Sequence, residues 1–173
     1  MRLRWIMAAV IAGLAVVGAA VAGLNANWSA HLNGSGEVPA RDTQAQGQAI
    51  FHLSPDGTRL DYKLIGSNID NAFMAHIHMA GPGVNGPIVV WLFPSTTPVA
   101  GPLGSGRHDG VLAQGTITAG DFVGPLAGQP MSALVSALND GDAYVNIHTN
   151  DGVDGINTGP GDFPGGEIRA DVH

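Results

Sequence analysis

Gln46-Gly47-Gln48-Ala49-Ile50-Phe51-His52-Leu53-Ser54, then Pro55-Asp56-Gly57-Thr58, then Arg59-Leu60-Asp61-Tyr62-Lys63-Leu64-Ile65-Gly66-Ser67 decide the fold class. In the first run Ala49, Phe51 and Leu53 alternate with Gln48, Ile50 and His52; in the third, Leu60, Tyr62 and Leu64 alternate with Asp61, Lys63 and Ile65. A period of two is that of a half-buried strand. Between the runs, proline presets φ and glycine supplies the positive φ that closes a hairpin.

The same reading extends outward in both directions. Trp28, Ala30 and Leu32 alternate with Ser29, His31 and Asn33. Ala75 to Met79 predicts another strand, and Pro87 to Phe93 reads as a central strand because it is apolar on both faces. Gly110 to Thr118, Ala143 to Thr149 and Gly166 to Val172 complete about eight short strands at turn-punctuated intervals. Pro94 to Asp109 reads as a long surface loop. Only Met131, Leu134, Val135 and Leu138 fall at helical spacing, ended by Asn139-Asp140-Gly141. The pattern predicts an all-β protein, an antiparallel Greek-key β-sandwich of immunoglobulin-like or superoxide-dismutase-like type with one short helix.

The chain has 173 residues, enough for one domain with a substantial core. Its first 22 residues read as a signal peptide: Arg2 and Arg4 precede an apolar run from Trp5 to Val21, and Ala20-Val21-Ala22 is a small-x-small cleavage site. The other reading of this stretch is an uncleaved membrane anchor. Residues 23–173 then form the domain, placed in the periplasm, at the cell surface or outside the cell. Met1 to Ala22 holds two of the seven basic residues and none of the fourteen acidic ones, so the remaining chain carries a net charge of −9. That balance disfavours nucleic acid and anionic lipid surfaces and welcomes cations. With no cysteine in the chain, a transition-metal site must be built from histidine, carboxylate, methionine or backbone oxygen.

Ala75-His76-Ile77-His78-Met79 places two imidazoles on one face of a strand. Tyr144, Asn146 and His148 share one face of Ala143-Tyr144-Val145-Asn146-Ile147-His148-Thr149. His76, His78 and His148 are therefore candidate ligands for copper, with zinc second. His52, His108 and Met74 are further candidates. Asn146, Glu167 and Arg169 lie on the same face, where they can orient the imidazoles. The competing reading is a hydrogen-bonded polar cluster that fastens sheet to loops, with Glu167 paired to Arg169 or to an imidazole. Asp151, Asp154 and Asp162, in a Gly-rich loop, are candidate calcium ligands, although Asp-Gly turns explain the same composition. His31 and His173 read as surface residues. No nucleophile–base motif of a hydrolase is present.

Ala75-His76-Ile77-His78, Gly81-x-Gly83-x-Asn85-Gly86-Pro87-Ile88-Val89-Val90, Ala143 to Thr149, and Pro164-Gly165-Gly166-Glu167-Ile168-Arg169 together resemble the CHRD (chordin) domain over about Ala30 to Val172. The resemblance implies an immunoglobulin-like sandwich and a single exported domain of microbial type. The His-x-His strand is similar, more faintly, to the copper-ligand strand of copper/zinc superoxide dismutase, although that family's cysteines are missing. The expectations for function are therefore an exported binding module with a histidine metal site, a metal-free interaction or scaffold domain acting through residues 80–87 and 94–109, or a copper-dependent redox enzyme such as a superoxide dismutase.

Overall fold

A computed structural model describes residues 27–94, 101–153 and 159–173; the stretch read as a signal peptide and Asp154 lie outside the described residues. Eight strands follow in chain order: β1 (Asn27–Asn33), β2 (Gln46–Leu53), β3 (Arg59–Asp70), β4 (Ala72–Met79), β5 (Ile88–Phe93), β6 (Arg107–Thr118), β7 (Ala143–Thr149) and β8 (Ile168–Asp171). The helix α1 (Met131–Asp140) lies between β6 and β7. All pairings are antiparallel, and the strands form one sheet in the order β5-β4-β7-β8-β1-β2-β3-β6. The all-β, antiparallel, one-helix expectation holds.

The sheet curls until its two ends approach each other. Tyr62, on β3, donates a buried hydrogen bond of 2.7 Å to the carbonyl of Leu92 on β5, at the far end of the strand order. Between β3 and β4 the chain passes from one end of the sheet to the other with a single intervening residue, Asn71. Its φ of 55° is left-handed, a conformation that asparagine tolerates because its side chain bonds locally. The Asn71 amide donates to the Gly161 carbonyl and its carbonyl oxygen accepts from Gly106 N–H, which fixes the corner.

One apolar core fills the inside of the curl. Leu32, Phe51, Leu60, Leu64, Ile77, Leu92, Ile147 and Ile168 are all fully buried in it. Leu134 and Leu138 of α1 add to the same core, and Trp28 Nε1–H reaches Asn139 Oδ1 at the end of that helix. Gly141 ends α1 in the left-handed conformation at φ 75°, and its N–H bonds the Ala137 carbonyl.

Three expectations need correction. β5 is a terminal strand of the hydrogen-bonded order, not a central one; its apolar outer side is covered instead by the turn before Gly124–Leu126, where Val123 N–H donates to the Val89 carbonyl. β6 begins at Arg107, so the last three residues of the expected surface loop, Arg107 to Asp109, are sheet. The expected strand Gly110 to Thr118 is present, and only its first three residues were missed, where the side chains are mostly exposed and the pairing shifts register opposite Leu64/Ile65 and Gly66/Ile69. Finally, the histidine-bearing face of β4 and β7 is not an open surface. Every residue of β7 is buried, on both faces.

Candidate metal centre

The register of β4 against β7 sets Met74 opposite His148, His76 opposite Asn146 and His78 opposite Tyr144. Alternation turns Ala75, Ile77, Val145 and Ile147 into the apolar core and leaves the histidines on the other side. That side is roofed by three loops: residues 34–45, 80–87 and 159–166. His76 is fully buried, and His78 and His148 are each 7 % exposed.

Two backbone carbonyls in the roof determine the state of two rings. His78 Nδ1 lies 2.9 Å from the Gly86 carbonyl oxygen, and His148 Nδ1 lies 2.9 Å from that of Pro164. A carbonyl only accepts, so both rings carry their proton on Nδ1 and present a lone pair at Nε2. His148 Nε2 faces His76 Nδ1 at 3.1 Å and Asn146 Oδ1 at 3.1 Å. His78 Nε2 and His76 Nε2 are buried without a hydrogen-bond partner. One ligating nitrogen from each of the three rings lies within 4.8 Å of the other two.

Electrostatics keep the rings neutral. Burial pushes the His76 imidazole down to about 2, with the His148 and His78 rings acting in the same direction. His148 falls to about 4, again chiefly through burial, despite its bond to Pro164. Burial also lowers His78, against the opposing effect of its bond to the Gly86 carbonyl. Neutral imidazole is the form that ligates a metal, so no proton must first be removed at physiological pH.

Two charged residues named from the sequence hold the roof. Glu167 accepts from Thr43 Oγ1 at 2.5 Å, Thr149 Oγ1 at 2.6 Å and Gly161 N–H at 2.9 Å. It thereby ties down the loop that carries Pro164. Arg169 donates to Asn85 Oδ1 at 2.9 Å and the Val84 carbonyl at 3.0 Å, and so fixes the loop that carries Gly86. Its guanidinium also sits 3.4 Å from the centre of the Tyr144 ring, and that ring stacks on His78 with centroids 4.7 Å apart. Glu167 and Arg169 are thus not partners of each other in the described contacts; the ion pair of Arg169 is with Asp171.

The other candidates lie elsewhere or stand apart. Met74 is half-buried on β4, beside His148 by register. His52 bonds Asn27 Oδ1 at 2.6 Å on the exposed face of β2, and His108, on β6, pairs with Ile69 of β3. Asp151 accepts from Val153 N–H in a local turn, whereas Asp162 is buried. Among the described residues, His76, His78 and His148 are the group of ligand-type side chains close enough to share an ion.

Sequence reasoning missed Glu37. It follows the 3-10 turn Gly34–Gly36 in a stretch without periodicity, and no spacing signal marks it. Folding buries it beside Arg169, Arg41 and Asn146, with Oε1 unpartnered. Gly166, at φ 120°, faces it; a Cβ at that position would collide with the Glu37 carboxyl group. Trp91, whose ring meets His76 edge-on with centroids 4.3 Å apart, was also missed as part of the site.

A family model described as the CHRD domain matches residues 28–172. The chain belongs to the CHRD family. The match takes in every described strand from Trp28 onward, both histidine strands and all three roof loops of this CHRD domain. No curated protein and no solved structure matches the chain.

Proposed function

We propose that this CHRD domain is an exported module that binds one transition-metal ion, copper first and zinc second, through His76, His78 and His148. The observation that carries the reading is the pair of carbonyl-fixed tautomers, which leave Nε2 of His78 and of His148 as lone pairs in a buried space shared with His76. In the metal-free protein, neutral His76 donates its Nδ1–H to His148 Nε2. Moving that proton to the unpartnered His76 Nε2 turns a third lone pair inward. Three such lone pairs repel one another until a cation lies between them. Bonds of about 2 Å to one ion set nitrogens roughly 3.3 Å apart in a tetrahedron, which the 3.1 Å pair already approaches. The cysteine-free composition and the acidic balance of the chain agree with an imidazole site for a cation. The apolar run after Arg2 and Arg4 supports export.

The test is metal content and uptake. Full-length protein purified from its native compartment is expected to contain stoichiometric copper or zinc, and His78→Ala to lose it. Equal uptake by wild type and His78→Ala removes the reading. If copper is the ion and a coordination position stays open, redox chemistry such as superoxide dismutation becomes available; a superoxide assay of the copper-loaded protein tests that extension.

A second reading is supported by exposed apolar side chains on two loops. Val84 is 56 % exposed and Leu103 is 52 % exposed, in the segments expected to serve a metal-free interaction domain. That reading requires a protein partner whose capture survives chelation and is lost in Val84→Asp.

A further inference from the structure

The triad supplies three donors, and its surroundings name a fourth. Asn146 sits on β7 directly across from His76, with its side chain on the histidine face. Asn146 Oδ1 lies 3.1 Å from His148 Nε2. Because His148 Nδ1 already holds its proton for Pro164, that contact sets one acceptor against another with no proton between them. Such a contact is unfavourable by itself and becomes favourable when a cation lies between the two atoms.

Turning the Asn146 amide over would relieve the contact, but Glu37 opposes the flip. The Glu37 carboxyl group lies beside the Asn146 side chain. In its ionised form that group only accepts and so draws the amide NH2 toward itself, which agrees with the amide oxygen facing the imidazoles 3.1 Å from His148 Nε2. Glu37 is held there by its surroundings: Arg169 and Arg41 lie close to it, and Gly166 leaves room for it. The carboxylate thus orients the oxygen and brings a negative charge within one side chain of the cation.

We propose that Asn146 Oδ1 is the fourth ligand of the ion, completing an N3O set with the three imidazoles, and that Glu37 is the positioning residue that holds the oxygen toward it. This rests on the metal reading of the triad. An amide oxygen is a harder donor than the thioether of Met74, and a site of three imidazoles and one oxygen suits Zn²⁺, Co²⁺ or Cu²⁺ over Cu⁺.

Co²⁺ is the probe, titrated into full-length protein that has been stripped of metal. Wild type is expected to take up one Co²⁺ with the intense visible bands of four-coordination. Asn146→Ala is expected to weaken the dissociation constant at least tenfold and to lose band intensity as water expands the shell. Asn146→Asp is expected to restore both. Glu37→Gln should weaken binding by about 10–100-fold while leaving a four-coordinate spectrum, because it disturbs the ligand's orientation and not its identity. Wild-type affinity and spectrum in Asn146→Ala, beside loss of binding in His78→Ala, overturn the fourth ligand and leave the triad standing. No Co²⁺ and no Zn²⁺ uptake by wild type overturns both. A measurement without substitution guards against a variant that fails to fold: in asparagine-labelled wild-type protein, Zn²⁺ is expected to shift the Asn146 side-chain carbonyl resonance. An unmoved resonance at saturation overturns the proposal.

Discussion

The Nδ1 of His76 lies 3.1 Å from the Nε2 of His148, close enough to share a proton or to bind the same ion. These two rings come from strands 72 residues apart in sequence, so the contact exists only in the folded chain. An ion bound there stabilises the folded state by mass action. Added Zn²⁺ at about 100 times its dissociation constant is therefore expected to raise the unfolding free energy by roughly 2.7 kcal/mol. Thermal unfolding read by circular dichroism checks this; a melting temperature that ignores Zn²⁺ in wild type contradicts it, and His148→Ala should show no response.

Glu37 gives the metal-free protein a distinctive pH dependence. Burial raises its carboxyl from 4.5 to about 7, against the charges of Arg169 and Arg41. A folded-state value above the unfolded one contributes stability that is complete below about 4.5 and lost as pH rises through 7. The histidines act in the opposite sense: their lowered values give stability that is complete above 6.5 and lost as pH falls, for His148 through about 4. Glu37→Gln is expected to gain on wild type between pH 4.5 and 7, by on the order of 3 kcal/mol. Urea unfolding of chelator-treated protein at pH 5 and pH 8 measures the gain; the same difference at both values would falsify the assignment.

Arg169 is 1 % exposed and holds residues 80–87 through Asn85 and Val84. Arg169→Met removes those donors and the charge over Tyr144, and leaves Asp171 without its cation. A cost of about 3 kcal/mol or more is expected, as for breaking other buried ionic contacts. Faster amide exchange at Gly86 and Val84 than at residues of β2 should accompany it. Uniform exchange across the domain would point to global loosening instead.

Gly86 is packed so tightly on the Met79 carbonyl that a Cβ would collide with it. Its carbonyl holds His78 Nδ1–H, and its N–H donates to Tyr144 Oη at 3.1 Å. Gly86→Ala is expected to cost roughly 1–3 kcal/mol and to release His78 into a mixture of tautomers, seen in its ring ¹⁵N shifts. Gly83, at φ 74° with open space around it, is the control. Gly83→Ala should cost about 1 kcal/mol from backbone strain and leave the His78 tautomer unchanged.

Strand periodicity made most of the fold legible, because alternation along β1, β2 and β3 reports directly on which face is buried. Only the start of β6, Arg107 to Asp109, escaped, because its side chains are largely exposed and bulges break its pairing with β3. The position of β5 escaped because apolar residues on both faces describe the environment of a strand, not its place in the hydrogen-bonded order. The histidine pair was visible because His76 and His78 must share a face, and His148 because it repeats the pattern. Their burial was not visible, since it is imposed by three loops that follow no period. Glu37 was invisible for the same reason: its role comes from a fold-dependent approach of residues 34–45 to β7 and β8.

The covering of β5 also governs how copies of this molecule behave toward one another. A terminal strand as apolar as Ile88–Phe93 is a template for pairing with a second chain. Here the Val89 carbonyl is taken by Val123 N–H and the Leu92 carbonyl by the Tyr62 hydroxyl. Two of the hydrogen-bonding groups through which a neighbouring strand would join the sheet are thereby occupied, which blunts that border as a template.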